Sequence, residues 1–171
     1  MSRNADTLER VIRPLVPRDA EELTRLLVAN RTFLAPYEPE RPESFYTVRG
    51  QRDRIRHAEH LFAILDGRQI AGTIAVSNVV HGAFRSGNVG YWVDAMRNGR
   101  GLASGALAAL VEHAFGDLGL HRLEAGTLVD NLGSQRVLEK NRFTRIGLAP
   151  RYLHIAGAWR DHLLFQRTVE D

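Results

Sequence analysis

The chain has 171 residues, 44% hydrophobic and 25% charged, with a formal net charge of +3, a balance that excludes a disordered chain and predicts one domain over residues 1–171 with a substantial core. The absence of cysteine excludes disulfides, a thiolate nucleophile and a cysteine-based zinc site; no metal is expected. No apolar run approaches the ~20 residues that cross a membrane, and Met1 to Asp6 lacks the apolar core of a signal peptide, so a cytoplasmic protein without membrane attachment is expected.

In chain order, Val11 to Leu15 predicts a short strand at or near a sheet edge, because Pro14 has no N–H to give a ladder. Pro17 to Ala20 starts a helix with Asp19 as N-cap, and Leu23, Leu26 and Leu27 follow at helical spacing. From Asn30 to Thr47 the chain reads as irregular. Pro36, Pro39 and Pro42 punctuate it, and Phe33, Leu34, Tyr37, Phe45 and Tyr46 crowd into it, either as core or as the wall of a substrate pocket. Arg49 to Glu59 predicts a second helix. Its arginines at 49, 52, 54 and 56 lack interleaved aromatics, the pattern of a solvated face rather than a direct nucleic-acid surface. Strands follow at His60–Leu65, Ile70–Val80 and Asn88–Asp94. The Asp66-Gly67 turn joins the first two, and the three together predict an antiparallel meander.

The loop Asn98-Gly99-Arg100-Gly101-Leu102-Ala103 comes next. It leads into Leu102–Gly119, where apolar residues at 102, 106, 107, 110, 111, 114, 115 and 118 mark one helix face. A strand, a glycine loop and a helix start in succession present free N–H groups and the positive end of a helix dipole to an anion. Ser104 stands where a dinucleotide fingerprint needs its third glycine, and the lysine of a Walker A loop is missing. Beyond the helix, His121–Leu128 predicts a strand. A short helix follows from Ser134 to about Asn141, with Ser134 a good N-cap; a strand opens at Phe143, and a last strand, Trp159–Arg167, follows the turn at 156–158. These elements make one α/β domain with a mixed sheet.

The loop resembles the cofactor signature (Q/R)-x-x-G-x-(G/A) of the GNAT superfamily of acyl-CoA-dependent N-acetyltransferases, departing from it only at Asn98. Gly90-Tyr91-Trp92-Val93 is similar to that family's preceding strand, and Asn131 through Phe143 resembles its N-x-x-S-x-x-V-L-E-K-x-G-F block. Tyr152 through His162 is similar to the Y-L-x-I-x-G-x-W-x-D-H ending of the RimJ/RimL branch, as are the early stretches Asn30–Pro39 and Arg41–Phe45. The resemblance implies the GNAT fold, α/β (α+β), with a mixed, mostly antiparallel central sheet of about seven strands flanked by helices and splayed at the coenzyme A site. It also implies acetyl transfer from acetyl-CoA to a primary amine by direct attack in a ternary complex. In the RimJ/RimL branch that amine is the N-terminal α-amine of a protein, notably a ribosomal one. A small amine or antibiotic as acceptor, or a catalytically inactive CoA-binding regulatory module, are the alternatives. An exposed edge strand makes a homodimer compatible with the pattern.

The resemblance also distributes roles. Backbone N–H groups of Asn98, Gly99, Arg100, Gly101, Leu102 and Ala103 would hold the pyrophosphate. The pantetheine arm would lie between Tyr91–Asp94, including Trp92 and Val93, and Ala125–Leu128, with the N–H near Val93 facing the thioester oxygen. Asn131 would contact that arm, and the Ser134 hydroxyl would protonate the leaving thiolate. Phe33, Tyr37, Glu38 and Tyr152 would meet the acceptor. The general base is open among His81, His154, Glu38 and Glu43, because Arg151 stands where some relatives carry a carboxylate before the tyrosine. An α-amine with a pKa near ~7.7–8.0 needs less help than a lysine near ~10.4. Asp161 and His162 are adjacent on a strand and so face opposite sides, which favours a structural role over a catalytic dyad. Two further departures are Gly105, where the family often has glutamate, and Arg142 in place of the glycine before Phe143. The second places a positive φ on Arg142 or on Asn141.

Overall fold

The computed structural model describes residues 11–169; the reading of Met1 to Asp6 lies outside them. Seven strands form one sheet: β1 (Ile12–Pro14), β2 (Leu61–Asp66), β3 (Gln69–Val80), β4 (Ser86–Val93), β5 (Arg122–Leu128), β6 (Thr144–Ile155) and β7 (Ala158–Thr168). Their order is β1-β2-β3-β4-β5-β7-β6. All neighbours are antiparallel except β4 and β5, which run parallel. β1 lies at an edge, with Pro14 opposite Phe62. The Asp66-Gly67 turn closes the β2–β3 hairpin with Gly67 at φ 63°, a conformation glycine takes without a Cβ clash.

Helices α1 (Ala20–Leu34) and α2 (Val48–His57) cover one face, and α3 (Leu102–Gly116) and α4 (Leu132–Lys140) the other. Strand alternation sorts the core between them. Ile74 and Val76 of β3, Val89 and Val93 of β4, and Leu163 and Phe165 of β7 pack with Leu107 and Leu110 of α3. Ile70 of β3, set off from Ile74 by the register shift against Ile64 and Leu65, packs instead with Leu23 and Leu27 of α1, and Ala75 and Trp92 rest against that cluster. Tyr91 and Trp92, neighbours in sequence, therefore serve opposite faces.

Several boundaries differ from the sequence expectation, each for a local reason. α1 continues to Leu34, so Asn30 to Leu34 are helical; no proline intervenes before Pro36. Buried Asn30 donates to the Leu26 carbonyl and to Asp94, and accepts from the N–H of Ala95. Asp19 is not a side-chain cap of α1. A 3₁₀ turn, Pro17–Asp19, precedes the helix, and the Asp19 carboxylate accepts from the N–H of Val16 (2.9 Å) and from Arg13 (2.7 and 3.0 Å). Although burial opposes its charge, those bonds hold Asp19 below the usual carboxylate range. α3 stops at Gly116, with Gly119 at φ 62° turning the chain. α4 starts at Leu132 and is capped by Asn131, not Ser134: Asn131 Oδ1 accepts the N–H of Ser134 at 3.1 Å. The positive φ falls on Arg142 (60°), while Asn141 sits at −96° and binds the carbonyls of Ser104 and Val137.

Candidate active site

β4 and β5 pair only over Ser86–Asn88 and Arg122–Glu124. Beyond that point β4 stays with β3 as far as Val93 opposite Gly72, and β5 stays with β7 as far as Leu128 opposite His162. The two diverge, and a cleft of about 470 Å³ opens through the sheet. Gly90, Tyr91 and Trp92 line one side of it and Ala125 to Leu128 the other; Asn131 and Ser134 come from the α4 face, and Leu34, Tyr37, Glu38, Arg41 and Arg54 from the α1–α2 face.

On the α3–α4 face, backbone conformation shapes the site. Gly99 and Gly101 adopt φ of 77° and 80°, and a Cβ on either would meet nothing within 4 Å. The glycines thus serve the left-handed turn itself, and the space in front of them is open. The first helical bond of α3 runs from the N–H of Gly105 to the carbonyl of Gly101, and no side chain caps the helix. The N–H groups of its first turn, Leu102, Ala103 and Ser104, remain available to a ligand. Two arginines pin the loop to the β2–β3 hairpin: Arg100 pairs with Asp66 (2.7 and 3.2 Å), and Arg97 donates to the Ile70 carbonyl (3.1 Å). Leu102 and Ala103 turn their side chains to the core, and Asn98 makes no side-chain hydrogen bond among the described residues.

The N–H of Asp94 donates to Ala71 of β3. Because successive N–H groups of a strand point to opposite edges, that of Val93 faces away from β3, toward the splay. Tyr91 Oη lies 2.9 Å from Ser134 Oγ and 3.3 Å from the Ser134 carbonyl. Burial pushes the Tyr91 phenol up to about 12, with the Ser134 bond acting the other way. Tyr91 is thus a neutral donor near neutral pH. Capping by Asn131 frees the Ser134 hydroxyl for this contact. The sequence puts Tyr91 on the strand beside the pantetheine arm but does not foresee its contact with Ser134; its signal is the two-residue period that sets it beside Val89 and Val93.

On the α1–α2 face, side chains from separate elements meet. Tyr37 and Glu38 line the cleft as expected. Phe33, on the last turn of α1, lies outside the lining with its ring 6.2 Å from Tyr37, and Tyr152 sits outside it too, 5.6 Å from the His162 ring. Trp92 contributes to the wall, but its side chain rests against the α1 cluster. Arg41 and Arg54 stand over the Phe45 ring at 4.9 and 5.5 Å. Burial pushes the Glu38 carboxyl up, opposed by both arginines, and burial together with Arg41 pushes Arg54 down. Of the four base candidates only Glu38 borders the cleft: Glu43 is tied to Arg31, His154 packs on Trp159, and His81 is exposed in a loop. Asp161 accepts the N–H of Arg151 (2.8 Å), while His162 is buried and lines the cleft. Arg41, Arg54 and His162 were also unforeseen as cleft residues; no contiguous motif unites them. Among the described residues no cluster of three or more His, Asp or Glu is placed to hold a metal, and no helix is long and apolar enough to cross a membrane.

The family profile described as acetyltransferase (GNAT) domain matches residues 10–144. The [ribosomal protein uS5]-alanine N-acetyltransferase of Escherichia coli is 33% identical, over 94% of this chain and 88% of that protein. The crystal structure of ribosomal-protein-S5-alanine acetyltransferase from Vibrio fischeri superposes with a TM-score of 0.89 at 32% identity, covering 94% of this chain and 93% of that one. Mycobacterium smegmatis RimJ, solved in complex with CoA-disulfide, superposes at 0.83 with 38% identity, covering 92% and 80%.

Proposed function

The chain belongs to the GNAT acetyltransferase family and is an acyl-CoA-dependent N-acetyltransferase, and from that premise we propose that it acetylates the N-terminal α-amine of a protein. The observation that supports this acceptor most is the passage between β4 and β5, open to both faces of the sheet. A thioester entering beside Tyr91 and Ser134 and an amine entering beside Glu38 would meet from opposite sides. Two arginines stand on the acceptor side against one glutamate, which repels a polycationic small amine such as an aminoglycoside or polyamine.

Acetyl-CoA supplies the activated acyl group, and the residues present fit it: the open left-handed turn at Gly99 and Gly101 admits a pyrophosphate to the backbone. The N–H groups from Asn98 to Ala103 hold that anion. The Val93 N–H is the single donor to the thioester oxygen, and Trp92 forms the wall beside it. Asn131, whose Oδ1 is committed to the cap, keeps its amide N–H groups for the pantetheine arm. The hydrogen bond to Tyr91, in which either hydroxyl can donate, holds the Ser134 hydroxyl where it would protonate the departing sulfur. Glu38 attracts the incoming ammonium, with Tyr37 beside it; Phe33 and Tyr152 flank the entrance.

The decisive assay is thiol release from acetyl-CoA with peptides beginning Ala or Ser, together with mass spectrometry of cellular N-termini with and without the protein. Acetylated peptide N-termini are expected. Turnover confined to small amines would overturn the acceptor, and no thiol release with any amine would return the inactive-module reading. We place the protein in the cytoplasm with its nascent-chain or ribosomal acceptors. The exposed β6 edge, with Ile146, Leu148 and Leu153 uncovered, supports a homodimer, which light scattering tests.

A further inference from the structure

We propose that His162 is the general base, its Nε2 taking the proton from the acceptor amine. His162 is 4% exposed and borders the cleft from β7. Its Nδ1 lies 3.0 Å from the carbonyl oxygen of Arg160. A carbonyl can only accept, so Nδ1 carries the proton and Nε2 of the neutral ring carries the lone pair. No protein group partners Nε2 among the described residues, yet no fully enclosed polar side-chain atom there lacks a partner. Nε2 therefore keeps open surface, and the open space beside this ring is the cleft.

The surroundings hold the ring and leave that edge free. Tyr152 of β6 packs against it at 5.6 Å with a 56° tilt. On β5 the neighbour is Gly126, whose absent Cβ would sit 3.7 Å from Cδ2, the carbon bonded to Nε2. A larger residue there would reach over the nitrogen. The charged or titratable groups on the other walls are Glu38, Arg41, Arg54 and Tyr37 from the α1–α2 side and Tyr91 from β4. On its own strand, Arg160 points to Asp130 (3.5 Å) and Asp161 to the Arg151 N–H. The adjacent aspartate thus takes no part.

This inference rests on the acceptor arriving as an ammonium, with a pKa of ~7.7–8.0 for an α-amine. Nε2 removes one proton from it, and the freed nitrogen lone pair forms the N–C bond as the C–S bond breaks. The proton displaced from nitrogen on amide formation leaves with sulfur by way of Ser134. The imidazolium returns its own proton to solvent, so one proton is released per turnover.

The test is the pH profile of kcat for wild type, His162→Asn and Glu38→Gln, on an Ala-initiated peptide with saturating acetyl-CoA. His162→Asn is expected to lower kcat by ~10²-fold below the amine pKa, to leave the KM for acetyl-CoA unchanged, and to recover as pH passes the amine pKa. A kcat within about twofold of wild type below that pH, against the ~10²-fold loss expected from a missing base, would overturn the inference. So would abolition of the acid limb by Glu38→Gln alone. Should the asparagine variant not fold, long-range ¹H–¹⁵N spectra of the wild-type protein decide: a protonated Nδ1 with bare Nε2 is expected, and a protonated Nε2 in the neutral ring overturns it. If peptides fail and a small amine is turned over, the acceptor reading falls while the same pH comparison on that amine still judges His162.

Discussion

On the α3–α4 face the cleft is made by backbone: two left-handed glycines, a helix start and a strand edge supply its donors. On the α1–α2 face it is made by five side chains from three places, with Tyr37, Glu38 and Arg41 in a loop, Arg54 on α2 and His162 on β7. Backbone recognition tolerates varied side chains and demands a rare φ, which suits a ligand common to every relative. Side-chain recognition is free to change residue by residue, which suits an acceptor that differs among them.

Substitutions can break or sharpen that contrast. The largest effect is expected from Ser134→Ala, which removes the proposed proton donor and should lower kcat by ~10²-fold while the KM for acetyl-CoA holds; steady-state kinetics with both substrates varied measures it. An unchanged kcat would leave Ser134 only its backbone N–H, held by Asn131. Next comes Gly101→Val, which forces a β-branched residue to φ near 80°, at a cost of ~1–2 kcal/mol or more. Acetyl-CoA should bind about tenfold or more weakly by calorimetry, with acceptor KM unmoved; equal losses on both substrates would erase the distinction between the faces.

Asn30→Ala tests the link between them, because this buried α1 residue ties the acceptor-side helix to Asp94 and Ala95, just ahead of the anion loop. Leaving those groups unpaired should cost ~1–3 kcal/mol of stability, read from urea unfolding, and should weaken acetyl-CoA without touching its loop. Glu38→Gln is expected to raise acceptor KM several-fold with no loss of Tm, since burial disfavours the charge it removes. Because that burial pushes the Glu38 carboxyl up, acceptor binding in the wild type should fade on acidification at a higher pH than an ordinary glutamate would impose. The charge is present above its folded pKa and lost as pH drops through it. Tyr91→Phe removes one hydrogen bond worth about 1 kcal/mol; a kcat lowered by up to tenfold with intact acetyl-CoA affinity is the expected mark of its hold on Ser134.

Legibility followed the same division. The glycine loop, the meander, the Asp66-Gly67 turn and the Asn131–Phe143 block are contiguous, and their meaning lies in local spacing. Residues 30–34 read as irregular from the three prolines that punctuate the rest of that segment, yet the first of them, Pro36, lies beyond the helix end at Leu34. The N-cap was assigned to Ser134 where Asn131 holds it; both are good caps, and the Asn-x-x-Ser spacing alone would equally have put serine at the third helical position. Tyr91 could have been separated from Trp92 by period. Arg41, Arg54 and His162 could not have been gathered, since their meeting depends on where β4 leaves β5.

That parting has a thermal consequence. The strands β1–β4 and β5–β7 are laced together by only three residue pairs, so their backbone seam is narrow, and the core they share beneath α3 holds the two parts together. A ligand that offers its own amides to both inner edges adds rungs where the protein has none, in the manner of a strand inserted into a sheet. The loaded enzyme is then the more stable one, and its substrate acts as part of its architecture: stability rises with the logarithm of substrate concentration. In a cell poor in acetyl donor the seam would lose those rungs, tying the lifetime of the protein to the supply of what it consumes.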